Sequence, residues 1–422
     1  MVFVKHSKDL IIPNKILNMP KKVLFIILDG IADFGETTPL EQAFKPNLDI
    51  LTKNGYAGLV ENRLTHHPDS GLSTFVLLGY SKEDYPGRGY TEALGIGLRP
   101  TPGSVYLRAN FATVKDVMED KFKTGEYKPE LIVVDRRAGR DSSGLFDISK
   151  DIKEFFFNGV KISFYKSLGY RGVVVLNSVN ISSNISDSDP YIEGKEVLEV
   201  KSLFMDDKAG KTAAALNKFL EETHKILKNH PANKYRKLPV NYILLRGASS
   251  YKYVKSFKDS HGLDGACIGA TPIVKGVCRS MEMEVPDISG ALGDHKTNLG
   301  EKTLKALDLL NKKNFVILHI KGCDVFSHDK KPSMKRLFIE RVDREVFRRI
   351  LEYADFEKIT IVVTSDHPTS SKTGEHLEGF MPFTIYTKGI EANKVEKFDE
   401  ENCKLGPVIN IDDFMEEVMK FV

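Results

Sequence analysis

The sequence has few cysteines, almost no net charge and no long hydrophobic run, and each shortage argues against a class of protein. The 61 basic and 58 acidic side chains among 422 residues leave a formal net charge of only +3. This near balance disfavours a dedicated nucleic-acid binder or a polybasic membrane binder. The longest apolar stretches, such as residues 23–28, are far too short to cross a bilayer. The sequence therefore predicts a chain without membrane helices.

The cysteines are scattered along the chain rather than grouped. The chain has four of them, Cys267, Cys278, Cys323 and Cys403. None of their spacings matches a CxxC pair or a zinc finger, which favours reduced thiols and a cytoplasmic location. Residues 1–20 interrupt their apolar positions with several lysines, and this pattern predicts an N-terminal extension rather than a signal peptide.

Short apolar runs rich in β-branched residues alternate with longer stretches of helical period, and this alternation is typical of an α/β fold. Three of the predicted strands matter most for function: residues 23–28, Phe315–Ile320 and Ile359–Thr364. Asp29, Asp324 and Asp366 follow these three strands closely. Because ligands of parallel sheets bind beyond the carboxyl ends of the strands, we expect these acids to share one site.

The length favours two or three domains, and the middle of the chain repeats the α/β pattern on its own. Strands are predicted at Glu130–Asp135, 172–177 and 242–246, and a helix at 213–227. Turns rich in proline and glycine at residues 85–90 and 285–290 bound this middle part. The predicted organisation is an extension at 1–20, a discontinuous domain formed by 21–88 and 286–422, and an inserted domain at 89–285.

A basic helix is predicted between the second and third of the functional strands. Apolar residues recur nearly every fourth position from Met334 to Ile350, while Lys335 and several arginines occupy the other positions. This spacing is typical of an amphipathic helix whose basic face is solvated.

Ser70 lies where a polar loop passes into a short apolar segment that ends at Gly79. A serine at such a place is ordinarily a helix N-cap, but the same place would also direct backbone N–H groups at a bound phosphate. Carboxylates and imidazoles elsewhere in the chain follow the predicted strands: Asp29, Asp324, His328, Asp366, His367 and His376. Such mixed ligands suit Mn²⁺ or Zn²⁺. Two such ions close together can stabilise both the attacking and the leaving oxygen when a phosphoryl group is transferred. The residues therefore predict metal-assisted phosphoryl transfer with Ser70 as the nucleophile.

This ordered set of residues resembles the metal site of the alkaline phosphatase superfamily. Over most of the chain, further segments resemble the archaeal-type 2,3-bisphosphoglycerate-independent phosphoglycerate mutases: LDGIAD, TTPLEQAFKPNLDIL, LLGYS, GRGYTEALGIGL, RANFATV, DRRAGR, ISDSDP, LLRGAS, HIKGCD and TSDHPT. The resemblance implies an alkaline-phosphatase-like, mostly parallel sheet flanked by helices, with an inserted smaller α/β domain. It also implies two divalent metal ions, Mn²⁺ ahead of Zn²⁺, Co²⁺ or Mg²⁺, and no need for 2,3-bisphosphoglycerate.

The same resemblance implies a role for each site residue. One metal ion would take Asp29, Ser70, Asp366 and His367, or a permutation sharing Ser70, and the other would take Asp324, His328 and His376. The groups implied to contact substrate are Asp135, Arg136, Arg171, Arg246 and Lys302. The implied reaction interconverts 3-phosphoglycerate and 2-phosphoglycerate through phosphorylated Ser70. The expected partner is the small-molecule substrate, phosphoglycerate, and not a nucleic acid or a membrane. Association into a homo-oligomer is left open.

The residues around Ser70 depart from the family pattern. Relatives usually read Pro-Gly-Ser-Asp there, whereas this chain reads Pro68, Asp69, Ser70 and Gly71. Two alternatives to the mutase therefore stay open. The first is a metal-dependent phosphatase or phosphomutase acting on another phosphate ester, and the second is a non-catalytic protein that binds metal and ligand.

Overall fold

The computed structural model describes residues 22–66, 68–117 and 130–422, so the predicted extension at 1–20 lies outside the described residues. The strands in these ranges are β1 (Lys22–Leu28), β2 (Tyr56–Asn62), β3 (Val105–Val117), β4 (Glu130–Asp135), β5 (Glu154–Phe157), β6 (Val160–Lys166), β7 (Arg171–Asn177), β8 (Tyr242–Ser250), β9 (Gly265–Ile268), β10 (Phe315–Ile320), β11 (Ile359–Thr364), β12 (Gly379–Tyr386) and β13 (Val408–Asn410).

The α-helices of the same ranges are α1 (Pro39–Gln42), α2 (Pro46–Lys53), α3 (Ser70–Leu77), α4 (Arg88–Gly95), α5 (Leu145–Asp151), α6 (Asp207–Lys228), α7 (Phe257–His261), α8 (Pro272–Ser280), α9 (Leu299–Leu309), α10 (Gly322–His328), α11 (Pro332–Val342), α12 (Arg348–Tyr353) and α13 (Phe414–Met419). Short 3₁₀ turns occur at Lys82–Asp84, Ala138–Arg140, Pro231–Tyr235 and Asn402–Leu405. Among the helices that the structure describes, none has the length and apolar character needed to cross a membrane.

A mostly parallel sheet carries the three functional strands. Its strand order is β13-β2-β12-β11-β1-β10-β9, with β11, β1, β10 and β9 mutually parallel and β12 antiparallel to both of its neighbours. The side chains of β1 alternate between two hydrophobic cores, because Val23, Phe25 and Ile27 face one core and the residues between them face the other. Both faces of this sheet are covered, which explains the continuous apolar runs and confirms the α/β prediction.

The register of the central strands brings their carboxyl ends to one edge. Leu28 pairs with Ile320 across β1 and β10, and Ile27 pairs with Thr364 across β1 and β11. The residues that follow β1, β10 and β11 therefore start from the same edge of the sheet, as predicted.

A second, antiparallel sheet is formed by the middle of the chain. Its order is β4-β3-β7-β6-β5, and β8 also pairs with β3. Helices α5 and α6 contribute Leu145, Ile148, Leu216 and Phe219 to the core on this sheet. Helix α4 contacts β3 and β8 of this sheet and also α8, so it joins the two sheets.

The chain returns to the first sheet earlier than the sequence pattern indicated. Strand β9 pairs in parallel with β10, Gly265 opposite Phe315, although the boundary was expected near residues 285–290. The pattern missed this return because β9 has only four residues, of sequence GACI, which is too short to show an alternation.

The predicted basic helix is present but is not solvated at every basic residue. It comprises α11, a π-helical turn at Asp343–Phe347, and α12. The prediction was wrong for Lys335, whose side chain is fully buried and lies 2.9 Å from the Asp33 carboxylate. Lys335 is buried because α11 packs against the loop that follows β1, which supplies Asp33.

Candidate functional site

The first acidic group at the carboxyl edge of the parallel sheet consists of Asp29, Asp366 and His367, all fully buried. His367 Nε2 lies 3.7 Å from Asp29 Oδ1 and 3.4 Å from Asp366 Oδ2. The Ser70 hydroxyl oxygen lies 3.1 Å from the same nitrogen. The structure thus places Ser70 beside the three residues with which the family resemblance grouped it.

The second acidic group consists of Asp324, His328 and His376. Asp324 and His328 are four residues apart on α10, and this spacing places them on one face of the helix. His376 Nε2 lies 3.1 Å from Asp324 Oδ1 and 3.2 Å from His328 Nε2. The rings of His367 and His376 stack with their centroids 3.8 Å apart, so the two groups adjoin.

Ser70 is the first residue of α3 but does not cap the helix. The cap is Asp69, whose Oδ1 accepts hydrogen bonds from Gly71 N at 2.8 Å and Leu72 N at 3.3 Å. Asp69, the residue that departs from the family pattern, therefore accepts hydrogen bonds from the free N–H groups at the start of the helix. As a result, the Ser70 hydroxyl faces His367 instead of its own backbone.

Replacing Gly71 by aspartate, the residue usual in relatives, is expected to destabilise this chain. A Cβ atom at position 71 would lie 2.5 Å from Tyr85 Oη and 2.8 Å from Ile273 Cδ1. We expect Gly71→Asp to lower the free energy of unfolding by about 1–3 kcal/mol, the usual cost of overpacking, as measured by urea denaturation. The control is Gly210→Asp in α6, where a Cβ would meet nothing within 4 Å. Equal stability of the two variants would contradict this prediction.

The histidines of the second group present lone pairs to the carboxylate. The Nδ1 atoms of His328 and His376 lie 2.6 Å and 2.7 Å from the backbone oxygens of Gly374 and Pro68. Because a carbonyl oxygen only accepts, each Nδ1 carries a proton, and in the neutral ring the lone pair on Nε2 is then available to a cation bound beside Asp324. Metal-binding histidines are commonly oriented in this way by a hydrogen bond on the other ring nitrogen.

The carboxylates of the first group contain oxygens without hydrogen bonds. Asp29 Oδ1 and Asp366 Oδ2 are buried and have no hydrogen-bond partner among the described residues. Burial, followed by the charge of Asp29, raises the pKa of Asp366 to about 7. Burial has the largest single effect on Asp29 and would raise its pKa, but the Lys321 ammonium and the contact with His319 together outweigh it, and the pKa falls to about 2. Unsatisfied buried oxygens next to imidazole lone pairs fit a divalent cation in each group.

The sequence prediction missed Lys321, which directly follows β10. Its ammonium lies 2.7 Å from Asp29 Oδ2 and 2.7 Å from Asp324 Oδ2, so it bridges the two groups. Lys302 was implied to contact substrate, and in the structure its ammonium donates to the backbone oxygen of His319. Asp29 was identified because it directly follows a functional strand. Lys321 directly follows β10, so the same signal could have identified it.

A cluster of arginines from the second sheet and α4 adjoins the acidic groups. Arg108 donates to Glu92 at 2.6 Å with both side chains buried, and Arg88 lies 3.8 Å from the same carboxylate oxygen. Arg88 also lies 3.7 Å from Asp69 Oδ1, which links this cluster to the start of α3. Neither Arg88 nor Arg108 was predicted, because their roles depend on contacts between distant segments.

The predicted Arg171 and Arg246 belong to this cluster. The Nε atoms of both are buried and have no hydrogen-bond partner among the described residues. Burial, followed by repulsion from Arg88, lowers the pKa of Arg246 to about 10. Burial would also lower the pKa of Arg171, but neighbouring groups that include Asp324 raise it above its ordinary value. Unpaired guanidinium donors of this kind fit the carboxylate or phosphate of a small anion.

The predicted Arg136 and Asp135 lie at the end of β4, beside Arg246. The guanidinium groups of Arg136 and Arg246 lie over the Tyr191 ring, 5.3 Å and 5.6 Å from its centroid. Arg136 also forms two hydrogen bonds to Asp189, of 2.8 Å and 2.6 Å. Asp135 accepts a bond of 2.6 Å from the backbone of Arg137 and so shapes the turn after β4.

Known proteins resemble this chain in sequence and in fold. The family model described as 2,3-bisphosphoglycerate-independent phosphoglycerate mutase matches residues 52–233. A curated protein of that name from Methanopyrus kandleri is 35% identical over 405 residues, covering 93% of this chain and 94% of its own length.

Two solved structures resemble this one over almost the whole chain. The cofactor-independent phosphoglycerate mutase from Thermoplasma acidophilum is 31% identical, with 95% of this chain and 99% of that chain covered and a TM-score of 0.60. The PH0037 protein from Pyrococcus horikoshii is 28% identical, with coverages of 96% and 98% and a TM-score of 0.76. Since identity above 30% extends over nearly the full length of both chains, this chain belongs to the family of 2,3-bisphosphoglycerate-independent phosphoglycerate mutases.

Proposed function

We propose that this chain interconverts 3-phosphoglycerate and 2-phosphoglycerate through a phosphoserine at Ser70, without 2,3-bisphosphoglycerate. The observation that carries the proposal is the position of the Ser70 hydroxyl, 3.1 Å from His367 Nε2 between the acidic groups and the arginines. The names of the relatives support the same reaction. The reaction is a step of glycolysis and gluconeogenesis.

We propose that each acidic group holds one divalent ion, with Mn²⁺ as the first choice. Asp29, Ser70, Asp366 and His367 would hold one ion, and the other three ligands would hold the second: Asp324, His328 and His376. When bound, such ions lower the pKa of a serine hydroxyl and neutralise charge on phosphoryl oxygens. The mixture of carboxylate and imidazole ligands supports Mn²⁺ or a related ion.

In the proposed transfer, Ser70 carries the phosphoryl group and two arginines hold the glycerate. Ser70 Oγ gives up its proton and forms a bond to phosphorus as the bond to the substrate's 3-oxygen breaks, and the 3-oxygen takes up a proton in exchange. Arg171 and Arg246 hold the carboxylate of glycerate, so that it turns within the site instead of leaving. The 2-hydroxyl loses its proton and bonds to phosphorus as the bond to Ser70 Oγ breaks, and Ser70 Oγ takes up a proton in exchange, which restores the free serine.

We also propose that the two sheets are separate domains that enclose the substrate between them. The acidic groups lie at the edge of the parallel sheet, whereas Asp135, Arg171 and Arg246 lie on β4, β7 and β8 of the antiparallel sheet. The four cysteines are buried free thiols, which supports a reducing, cytoplasmic location. The proposed partner is the small-molecule substrate alone.

The test is formation of 2-phosphoglycerate from 3-phosphoglycerate by protein loaded with Mn²⁺, in the absence of 2,3-bisphosphoglycerate. We expect sustained turnover in both directions, and little turnover of other phosphate esters. Release of inorganic phosphate without isomerisation would contradict the mutase and favour a phosphatase. Metal binding without turnover of any ester would favour a non-catalytic protein.

A further inference from the structure

The hydroxyl of Thr369 connects the two acidic groups. Thr369 is fully buried in the loop after β11. Its Oγ1 donates a hydrogen bond of 3.1 Å to Asp324 Oδ1, which belongs to the second group. The same oxygen lies 3.1 Å from Nδ1 of His367, which belongs to the first group. One side-chain oxygen therefore contacts a proposed ligand of each metal ion.

The single proton of this hydroxyl determines the tautomer of His367. A carboxylate only accepts hydrogen bonds, so the proton of Thr369 Oγ1 is directed to Asp324. The contact with His367 then requires that Nδ1 carry a proton and donate it. In the neutral ring, Nε2 is left with a lone pair that faces Ser70 Oγ and the carboxylates of the first group.

The backbone of Thr369 is fixed from two sides. Its N–H donates to Ala32 O at 3.0 Å, and its carbonyl accepts from the Lys335 ammonium at 3.0 Å. Lys335 also donates to Ala32 O at 3.2 Å and pairs with Asp33. The buried Lys335 therefore joins the loop after β1 to the loop after β11, and this holds the backbone of Thr369 in place.

The backbone of Gly30 approaches the hydroxyl closely. Gly30 has a φ of +67°, and a Cβ there would lie 2.7 Å from Thr369 Oγ1 and 2.8 Å from Asp324 Cβ. The backbone after β1 thus runs directly against the hydroxyl and its acceptor, and only glycine fits this position.

We propose that Thr369 is a positioning residue that orients His367 and Asp324 together, so that the loss of its hydroxyl weakens metal binding at both groups. The proposal rests on the two-metal site proposed above. Removing a hydrogen bond behind a metal ligand typically lowers metal affinity by about 10- to 100-fold. Because Thr369 contacts one ligand of each group, we expect a loss of this size in both binding steps.

The experiment is calorimetric titration of the metal-free full chain with Mn²⁺. Wild type is expected to bind two ions, and Thr369→Val to bind both about 10- to 100-fold more weakly. Thr369→Ser keeps the hydroxyl and should restore both affinities to within a few-fold of wild type. The control is Thr384→Val, the same substitution at a buried threonine on β12 whose hydroxyl has no hydrogen-bond partner in the described part of the chain. Its Mn²⁺ affinities should equal those of wild type.

Several results would overturn the proposal. Wild-type affinities in Thr369→Val, or a loss in only one binding step, would show that Thr369 does not act on both groups. Thr369→Ala repeats the test if the valine variant does not fold, and failure of both to fold would show that the fold itself requires this residue. Absence of Mn²⁺ binding by folded wild type would instead contradict the proposed two-metal function, so the two failures are distinguishable.

Discussion

Ser70→Ala is expected to abolish mutase turnover while leaving the fold and the metal site formed by Asp324, His328 and His376 intact. Loss of a catalytic serine in a covalent mechanism lowers kcat by on the order of 10⁶-fold. The helix should survive, because its cap is the Asp69 side chain and the Ser70 hydroxyl has no part in it. The measurement is 2-phosphoglycerate formation, together with Mn²⁺ binding and circular dichroism of the same preparation.

Two observations check the identity of the nucleophile. Acid quenching of the wild-type enzyme with substrate, followed by mass spectrometry, should locate a phosphate on Ser70 alone. Ser73→Ala is the control, since Ser73 is fully buried on the same helix and accepts a hydrogen bond of 3.0 Å from Asn62. It should lose about 1 kcal/mol of stability but keep its activity. Phosphate on Ser73 or Thr74, or residual mutase activity in Ser70→Ala, would show that another residue is the nucleophile.

Removal of divalent metal is expected to abolish turnover and lower the melting temperature, and Mn²⁺ is expected to restore both. The melting temperature should fall because the two sets of metal ligands come together only in the native state, so that bound metal stabilises this state. An ion at 100 times its dissociation constant stabilises such a state by about 2.7 kcal/mol. Asp324→Ala should weaken this response, and excess Mn²⁺ should partly reverse its loss of activity. A serine variant cannot be rescued in this way.

The control for metal removal is a buried carboxylate outside the site. Asp343 accepts hydrogen bonds of 2.8 Å from Leu48 N and 2.6 Å from Asn47 Nδ2. Asp343→Asn should therefore lower the melting temperature without changing the dependence of activity on Mn²⁺. Full activity of exhaustively chelated wild-type protein, or the same Mn²⁺ response in Asp324→Ala as in wild type, would contradict the two-metal site.

The parts of the fold and site that could be predicted from the sequence depend on local signals. Strands β10 and β11 were predicted with the bounds they have, because each is a continuous apolar run covered on both faces. Acidic side chains directly after such strands must meet at one edge, so the sequence pattern was enough to group Asp29 with Asp366. The register of β1 with its two neighbours confirms this geometry.

The features that were missed depend on residues far apart in the chain. Lys335 has the sequence context of a surface lysine, and only its pairing with Asp33, 302 positions away, explains its burial. Arg108 is placed by the pairing of β3 with two other strands and by its contact with Glu92 on α4. Such contacts leave no periodic signal in the sequence. From the sequence, Ser70 could be either a helix cap or a nucleophile. The structure excludes the cap, because the side chain of Asp69 caps the helix instead.

The order of the strands in the parallel sheet also affects how the chain folds during its synthesis. Asp29 is made 292 residues before Lys321, its neighbour in the folded protein. At roughly 5–20 residues per second, β1 must wait about 15–60 s for its partner β10 to be made. The antiparallel sheet pairs only segments between Val105 and Ser250, so it can assemble during this interval. The nascent chain would therefore carry a finished middle part and an unpaired, strongly apolar first strand, and premature termination anywhere before β11 would leave that strand exposed to aggregation.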